Sequence, residues 1–190
     1  MSTEELIKAK AKEIFFTKGH LHATTQDIAD AAEVNRSLIN YYFRSRDQLF
    51  QTVYREAVED LKSQLDVVFY ADIPFKEKVE QFIEVYMKEL LRYPYRESFL
   101  ITEICSNNFA LKEKKKSEAM HHFLKDIEQA SAQGIIKACK PIHFLFNLFS
   151  LMALPVIMRP LYQKLLDIND LDYNQLINER KALILKQIFD

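Results

Sequence analysis

The stretch AKEIFFTKGHLHATTQDIADAAEVNRSLINYYFRSRDQLF, residues 11–50, decides the fold. Ile7, Ala11, Ile14 and Phe15 recur at helical spacing and predict a first helix over about 4–18. Gly19 is placed to end it in a left-handed conformation. Thr24 and Thr25 then offer an N-cap for a short second helix, with Asp27 near its positive end and Ile28, Ala29 and Ala32 as its buried face. Asn35 is the N-cap of a third short helix that turns Leu38 and Ile39 inward. Ser45 and Gln48 have capping-box spacing and open a long fourth helix, about 46–69, through Leu49, Val53, Ala57, Leu61 and Leu65.

Two short helices joined by a tight turn and flanked by longer ones are the helix-turn-helix arrangement, in which the second short helix enters the DNA major groove. That helix carries Asn35, Arg36, Ser37, Asn40, Tyr41 and Tyr42, and residues 35–46 contain Arg36, Arg44 and Arg46 with no Asp or Glu.

Residues 11–50 resemble the DNA-binding domain of the TetR family of transcriptional regulators. The resemblance rests on Ala11, Phe15, Gly19, Thr24, Thr25, Ile28, Ala29, Val34, Tyr42, Phe43, Arg46 and Leu49 in register. It covers roughly the first quarter of the chain. It implies phosphate contacts from Thr25, Tyr42 and Arg46, and places Arg36, Ser37, Asn40 and Tyr41 at or near base edges, so that with their neighbours the expected DNA-binding residues are Thr24, Thr25, Asn35, Arg36, Ser37, Asn40, Tyr41, Tyr42, Arg44 and Arg46. Three positions depart from the family pattern: Glu33 where the turn usually has glycine, Asn40 where tyrosine is common, and Arg46 for the usual lysine. A side chain at Glu33 implies either a left-handed residue that is not glycine or a different turn.

Composition sets the frame for the remainder. With 48% hydrophobic residues in 190, a soluble chain with a real core is expected, and two glycines and five prolines are too few for a large β-protein. The expected fold is all-α, about nine helices, with a three-helix DNA-binding domain at 1–49 and a sensing and dimerisation domain at 50–190. A net charge of −1 argues against a broad basic surface but leaves room for a small positive head. Cys105 and Cys139 fit no zinc motif and read as buried thiols. No secretory leader pattern is visible, so the cytoplasm is the expected location.

Beyond the head, Pro74 suits the first turn of a helix to about 91 with Val79, Phe82, Ile83 and Tyr86 on its apolar face. Pro94 interrupts the chain, another helical segment begins at 98–104, and 117–138 reads as one more helix. The KEKKK run at 112–116 reads as a solvated face. Pro141 starts the most apolar helix, whose only polar stripe is His143, Asn147 and Ser150. At 17 residues with polar breaks, the stretch 142–158 reads as a core or interface helix rather than a membrane span. The resemblance implies dimerisation through the last two long helices, about 141–164 and 174–189, with Phe144, Leu148, Met152, Leu176, Leu183 and Ile184 as candidate contacts. Phe69, Phe82, Tyr86, Phe99, Phe109 and Phe123 are candidates to line a cavity for a small, largely apolar effector; the competing reading for each is core packing. Adjacent His121 and His122 point about 100° apart on a helix and make a poor metal pair, so no metal or cofactor is expected.

No nucleophile triad, phosphate loop or metal cluster has motif context, which excludes an enzyme from the reading. The expected function is a ligand-responsive repressor that binds a palindromic DNA operator as a homodimer. The alternatives are a constitutive regulator without an effector, and a helical interaction module that has lost DNA binding.

Overall fold

The computed structural model describes residues 1–20, 22–105 and 118–190. Phe109 and the 112–116 run lie outside the described residues, as does the side chain of Cys105. Among the described residues the chain is all helical: α1 (Thr3–Lys12, continued by a π-turn over Glu13–Thr17), α2 (Thr25–Ala31), α3 (Arg36–Phe43), α4 (Arg46–Tyr70), α5 (Phe75–Arg92), α6 (Arg96–Cys105), α7 (Glu118–Ala132), α8 (Pro141–Ile157), α9 (Arg159–Leu166) and α10 (Asp170–Phe189). Two compact units emerge. One holds Met1–Asp60 with the segment from Arg92 through α6; the other holds Leu61–Leu91 and the helices from α7 onward.

In the first unit, Ser2 caps α1 by accepting from the Glu5 N–H at 3.2 Å, with Glu4 and Glu5 at its positive end. The π-turn is closed by Lys18 N–H donating to the Glu13 carbonyl at 2.9 Å. It lets three consecutive side chains, Ile14, Phe15 and Phe16, all face inward. A regular α-helix would spread them over about 200° and expose one. Gly19 then turns with φ +69°, as its sequence position predicts, and a Cβ there would stand 2.8 Å from the Tyr95 ring.

The unit's centre is aromatic. Phe50 stacks on Phe99 at 4.1 Å and meets Phe15 edge-on at 5.5 Å. Two hydrogen bonds tie the 92–95 segment to the π-turn, with Tyr95 N–H on the Phe16 carbonyl at 3.0 Å and the Thr17 hydroxyl on the Arg92 carbonyl at 3.2 Å. Glu56 of α4 bridges Lys8 at 2.7 Å and Lys12 at 3.0 Å, pinning α1 to α4. The first core therefore reaches past residue 49, the boundary expected from sequence: Phe50, Val53, Tyr54, Ala57 and Phe99 all belong to it.

The second unit packs the end of α4 with α5, α7, α8 and α10. Its rings fill one another's spaces: Phe69 stacks on Phe123 at 4.5 Å, Phe82 meets Phe123 and Phe149 edge-on at 5.6 Å each, and Tyr86 meets Phe149 at 5.1 Å. Helix α7 stops at Ala132 rather than 138. Gly134, at φ +72°, ends it while Ile135 N–H reaches back to the Ala130 carbonyl at 2.9 Å. The single helix expected over 141–164 is two, α8 and α9, bent by 65° at Met158. Pro155 has no N–H for the Leu151 carbonyl, and Arg180 of α10 supplies the missing donor at 2.8 Å. The Tyr173 hydroxyl donates to the Pro155 carbonyl beside the break. Cys139, expected to be buried, is exposed, because it lies in the non-helical 133–140 connection left by the early end of α7.

Among the described residues no single helix is long and apolar enough to cross a membrane, although the bent α8–α9 pair passes by length and composition.

Candidate DNA-binding site

The site is built from local capping chemistry. Thr24 closes a full capping box: its Oγ1 accepts from Asp27 N–H at 3.2 Å, and its own N–H donates to Asp27 Oδ2 at 2.7 Å. The Thr24 backbone N–H and then its hydroxyl hold the Asp27 carboxyl below the usual carboxylate range. Helix α2 buries Ile28 and Ala29, and the turn continues from Ala32 through Glu33. Glu33 adopts φ +54°, the left-handed geometry that glycine usually supplies, and Val34 N–H returns to the Ala29 carbonyl at 3.0 Å. The turn is thus retained despite the side chain.

Asn35 Oδ1 accepts from Ser37 N–H at 2.8 Å and starts α3. With Ile39 and Phe43 buried beneath, α3 turns Arg36, Ser37 and Asn40 to solvent. Tyr41 is 78% exposed and Tyr42 38% exposed, their rings edge-to-face at 5.1 Å. An exposed aromatic pair next to an arginine, a hydroxyl and an amide is a surface fitted to base edges and sugar-phosphate. Arg44 ends α3 at φ +62° with its side chain exposed.

Not every expected contact stands free. Thr25 is only 9% exposed, on the inward side of the first turn of α2. Asn35 spends its side-chain oxygen on the cap. Arg46 is seated rather than extended: Nε donates to the Ala23 carbonyl at 3.3 Å, and the guanidinium lies 5.0 Å from the Phe15 ring and 5.6 Å from Phe99. A guanidinium on aromatic faces holds α4 against α1, and this seat depends on Phe99, which sequence spacing could not link to Arg46. Gln26, not anticipated, is exposed on the first turn of α2, its amide donating to Asp30 at 2.7 Å.

The remaining candidates fall elsewhere. Phe69, Phe82, Tyr86 and Phe123 are buried in the second core, whereas Phe99 belongs to the first. Phe144, Leu148, Met152 and Ile184 are buried within the second unit itself, while Leu176 and Leu183 are exposed.

Residues 7–53 match the family described as bacterial regulatory proteins, tetR family. The chain is 28% identical over 175 residues to the probable HTH-type transcriptional regulator YttP of Bacillus subtilis (strain 168), covering 85% of this chain and 80% of that protein. Its fold is similar to that of a TetR family transcription regulator from Marinobacter aquaeolei VT8 (13% identity, TM-score 0.64, covering 99% of this chain and 96% of the other). It is also similar to that of the TetR family transcriptional regulator PfmR from Thermus thermophilus (13% identity, TM-score 0.64, covering 97% and 96%).

Proposed function

We propose that this protein is a regulator of the tetR family, whose model residues 7–53 match, and that it is a ligand-responsive repressor that binds a palindromic operator as a homodimer. That it is a DNA-binding transcriptional regulator, and not an enzyme, follows from the family. The observation that carries the reading is the surface of α3, where Arg36, Ser37, Asn40 and Tyr41 stand exposed on a helix capped and buttressed entirely by its own unit.

One head offers few base contacts, each good bidentate pair giving about 1–3 kcal/mol of discrimination. Two heads reading half-sites one helical turn apart, or a multiple of it, supply the rest. The uncovered apolar side chains Ile142, Phe146, Leu154, Leu176 and Leu183 on α8 and α10 support pairing of two copies through these helices. Repression released by a ligand is a population shift: the ligand must bind better to the state whose heads are misplaced. Helix α4, continuous from Arg46 to Tyr70, is the element through which such a shift would act. The mutual packing of Phe69, Phe82 and Phe123 favours a second reading, a regulator that needs no effector.

The test is fluorescence anisotropy of the purified protein on DNA from upstream of its own gene, against scrambled DNA, across a salt series. Preference for the native fragment with a steep loss of affinity as salt rises is the expected result. Failure to bind any genomic fragment at low salt refutes the reading.

A further inference from the structure

Within the second unit, the end of α4, the start of α5 and the outer face of α7 enclose a cleft of about 690 Å³. That volume lies in the range of about 300–1,000 Å³ typical of small-molecule sites. Lys78, only 4% exposed, is among the residues that line the cleft. Its ammonium donates to the Phe69 carbonyl, near the C-terminal end of α4, at 3.1 Å, and to Asp126 Oδ2 at 2.6 Å. His122 Nδ1 approaches the same carboxylate oxygen at 3.4 Å, one turn earlier on α7.

An ammonium has three N–H donors. Two are matched, and Lys78 has no third acceptor among the described residues. A buried donor left unmatched costs free energy, so a buried lysine lining a cleft calls for an acceptor oxygen there. The formal charges lining the cleft balance, two lysines against two aspartates. Asp126 balances Lys78, while Lys125, exposed on the cleft wall, has no ion-pair partner among the described residues. Asp72 is the opposing acid, also exposed. The Gln129 and Gln133 amides add neutral donors, and Tyr70, Phe75 and Ile135 give an apolar wall.

We propose that this cleft binds a small organic carboxylate with an apolar body, its carboxylate accepting from Lys78 and Lys125 and its body lying against Phe75 and Tyr70. The site is separate from the ring-filled centre of the same unit, where Phe69, Phe82 and Phe123 meet. Because Lys78 also holds the end of α4, occupancy would bear on the helix that begins next to α3. That second step, an effector role, rests on the regulator reading; the binding step does not.

The experiment is calorimetric titration of the full chain, without DNA, with 4-phenylbutyrate and with the uncharged alcohol of the same skeleton. Saturable binding of the acid, with the alcohol about tenfold weaker, is expected from a charge-assisted hydrogen bond. Lys125→Ala and Lys78→Gln should each weaken the acid by about fivefold or more and leave the alcohol unchanged. Thermal melts check that Lys78→Gln still folds; Lys125 is exposed, so its result stands alone. No saturable binding, equal binding of acid and alcohol, or an unaltered Lys125→Ala variant overturns the site. Adding the acid to a protein–DNA complex then tests the effector step: release supports it, and binding without release overturns it while the site stands. A protein that binds the acid but no DNA overturns the regulator reading alone.

Discussion

Replacing Gly19 with alanine tests how the first unit is held together, because Gly134 supplies a control. Both glycines have positive φ, +69° and +72°. A Cβ at Gly19 meets the Tyr95 ring at 2.8–3.0 Å, whereas at Gly134 it meets nothing within 4 Å. The left-handed backbone alone costs an L-residue about 1–2 kcal/mol. Overlap with a packed ring adds about 1–3 kcal/mol, since Tyr95 is anchored through its N–H on the Phe16 carbonyl and cannot simply retreat. Gly134→Ala should therefore destabilise by about 1–2 kcal/mol and Gly19→Ala by about 2–5 kcal/mol. Urea denaturation followed by far-ultraviolet circular dichroism reads the difference. In a Tyr95→Ala background the cost of Gly19→Ala should fall to that of Gly134→Ala, with a coupling of at least about 1 kcal/mol in the cycle. Equal costs for the two glycine variants, or no rescue by Tyr95→Ala, would refute the close approach.

Further outcomes follow from the same geometry. Arg36→Ala should lower affinity for the operator by about 1–3 kcal/mol and relax discrimination at one base pair, without shifting the thermal midpoint, as anisotropy and melting together will show. Arg46→Ala should do something different: removal from the Phe15 and Phe99 rings should cost about 1–2 kcal/mol of stability in urea, so its DNA defect should be accompanied by a folding defect. For Glu56, partial burial opposes ionisation, but the hydrogen bonds from Lys8 and then Lys12 outweigh it and set its pKa below the ordinary 4.5. A carboxyl with a lowered folded pKa stabilises above its unfolded value and loses that contribution as pH falls through the folded value. Glu56→Gln should thus cost about 0.5–1 kcal/mol at neutral pH, a difference from wild type that shrinks as pH drops below 4.5; a gap independent of pH would count against the bridge. Tyr173→Phe strips the donor from the Pro155 carbonyl and should cost about 1–3 kcal/mol in the same denaturation assay.

What the sequence by itself determined was local. Thr24, Asn35 and Gly19 act on backbone groups within a few residues, so their chemistry is visible as spacing, and each acts where spacing placed it. The exposed face of α3 was legible for the same reason, since burying Ile39 and Phe43 leaves Arg36, Ser37, Asn40 and Tyr41 outside. Tertiary structure decided whatever joins distant segments. Spacing could not assign Phe99 to the first core, seat Arg46 on it, or set Tyr95 against Gly19. Gly134 lies inside the stretch 117–138 that reads as one helix, and its positive φ ends α7 at Ala132 instead. The break at Met158 needed more than Pro155, because a proline is accommodated within a helix when another element satisfies the carbonyl it leaves open. Here Arg180 of α10 does so at the Leu151 carbonyl, and Tyr173 of the same helix donates to the Pro155 carbonyl beside the break. The Lys78–Asp126–His122 cluster spans 48 residues of chain between its lysine and its carboxylate. A nearly buried ammonium exists only where folding removes the water around it, and no pattern of neighbouring residues announces that.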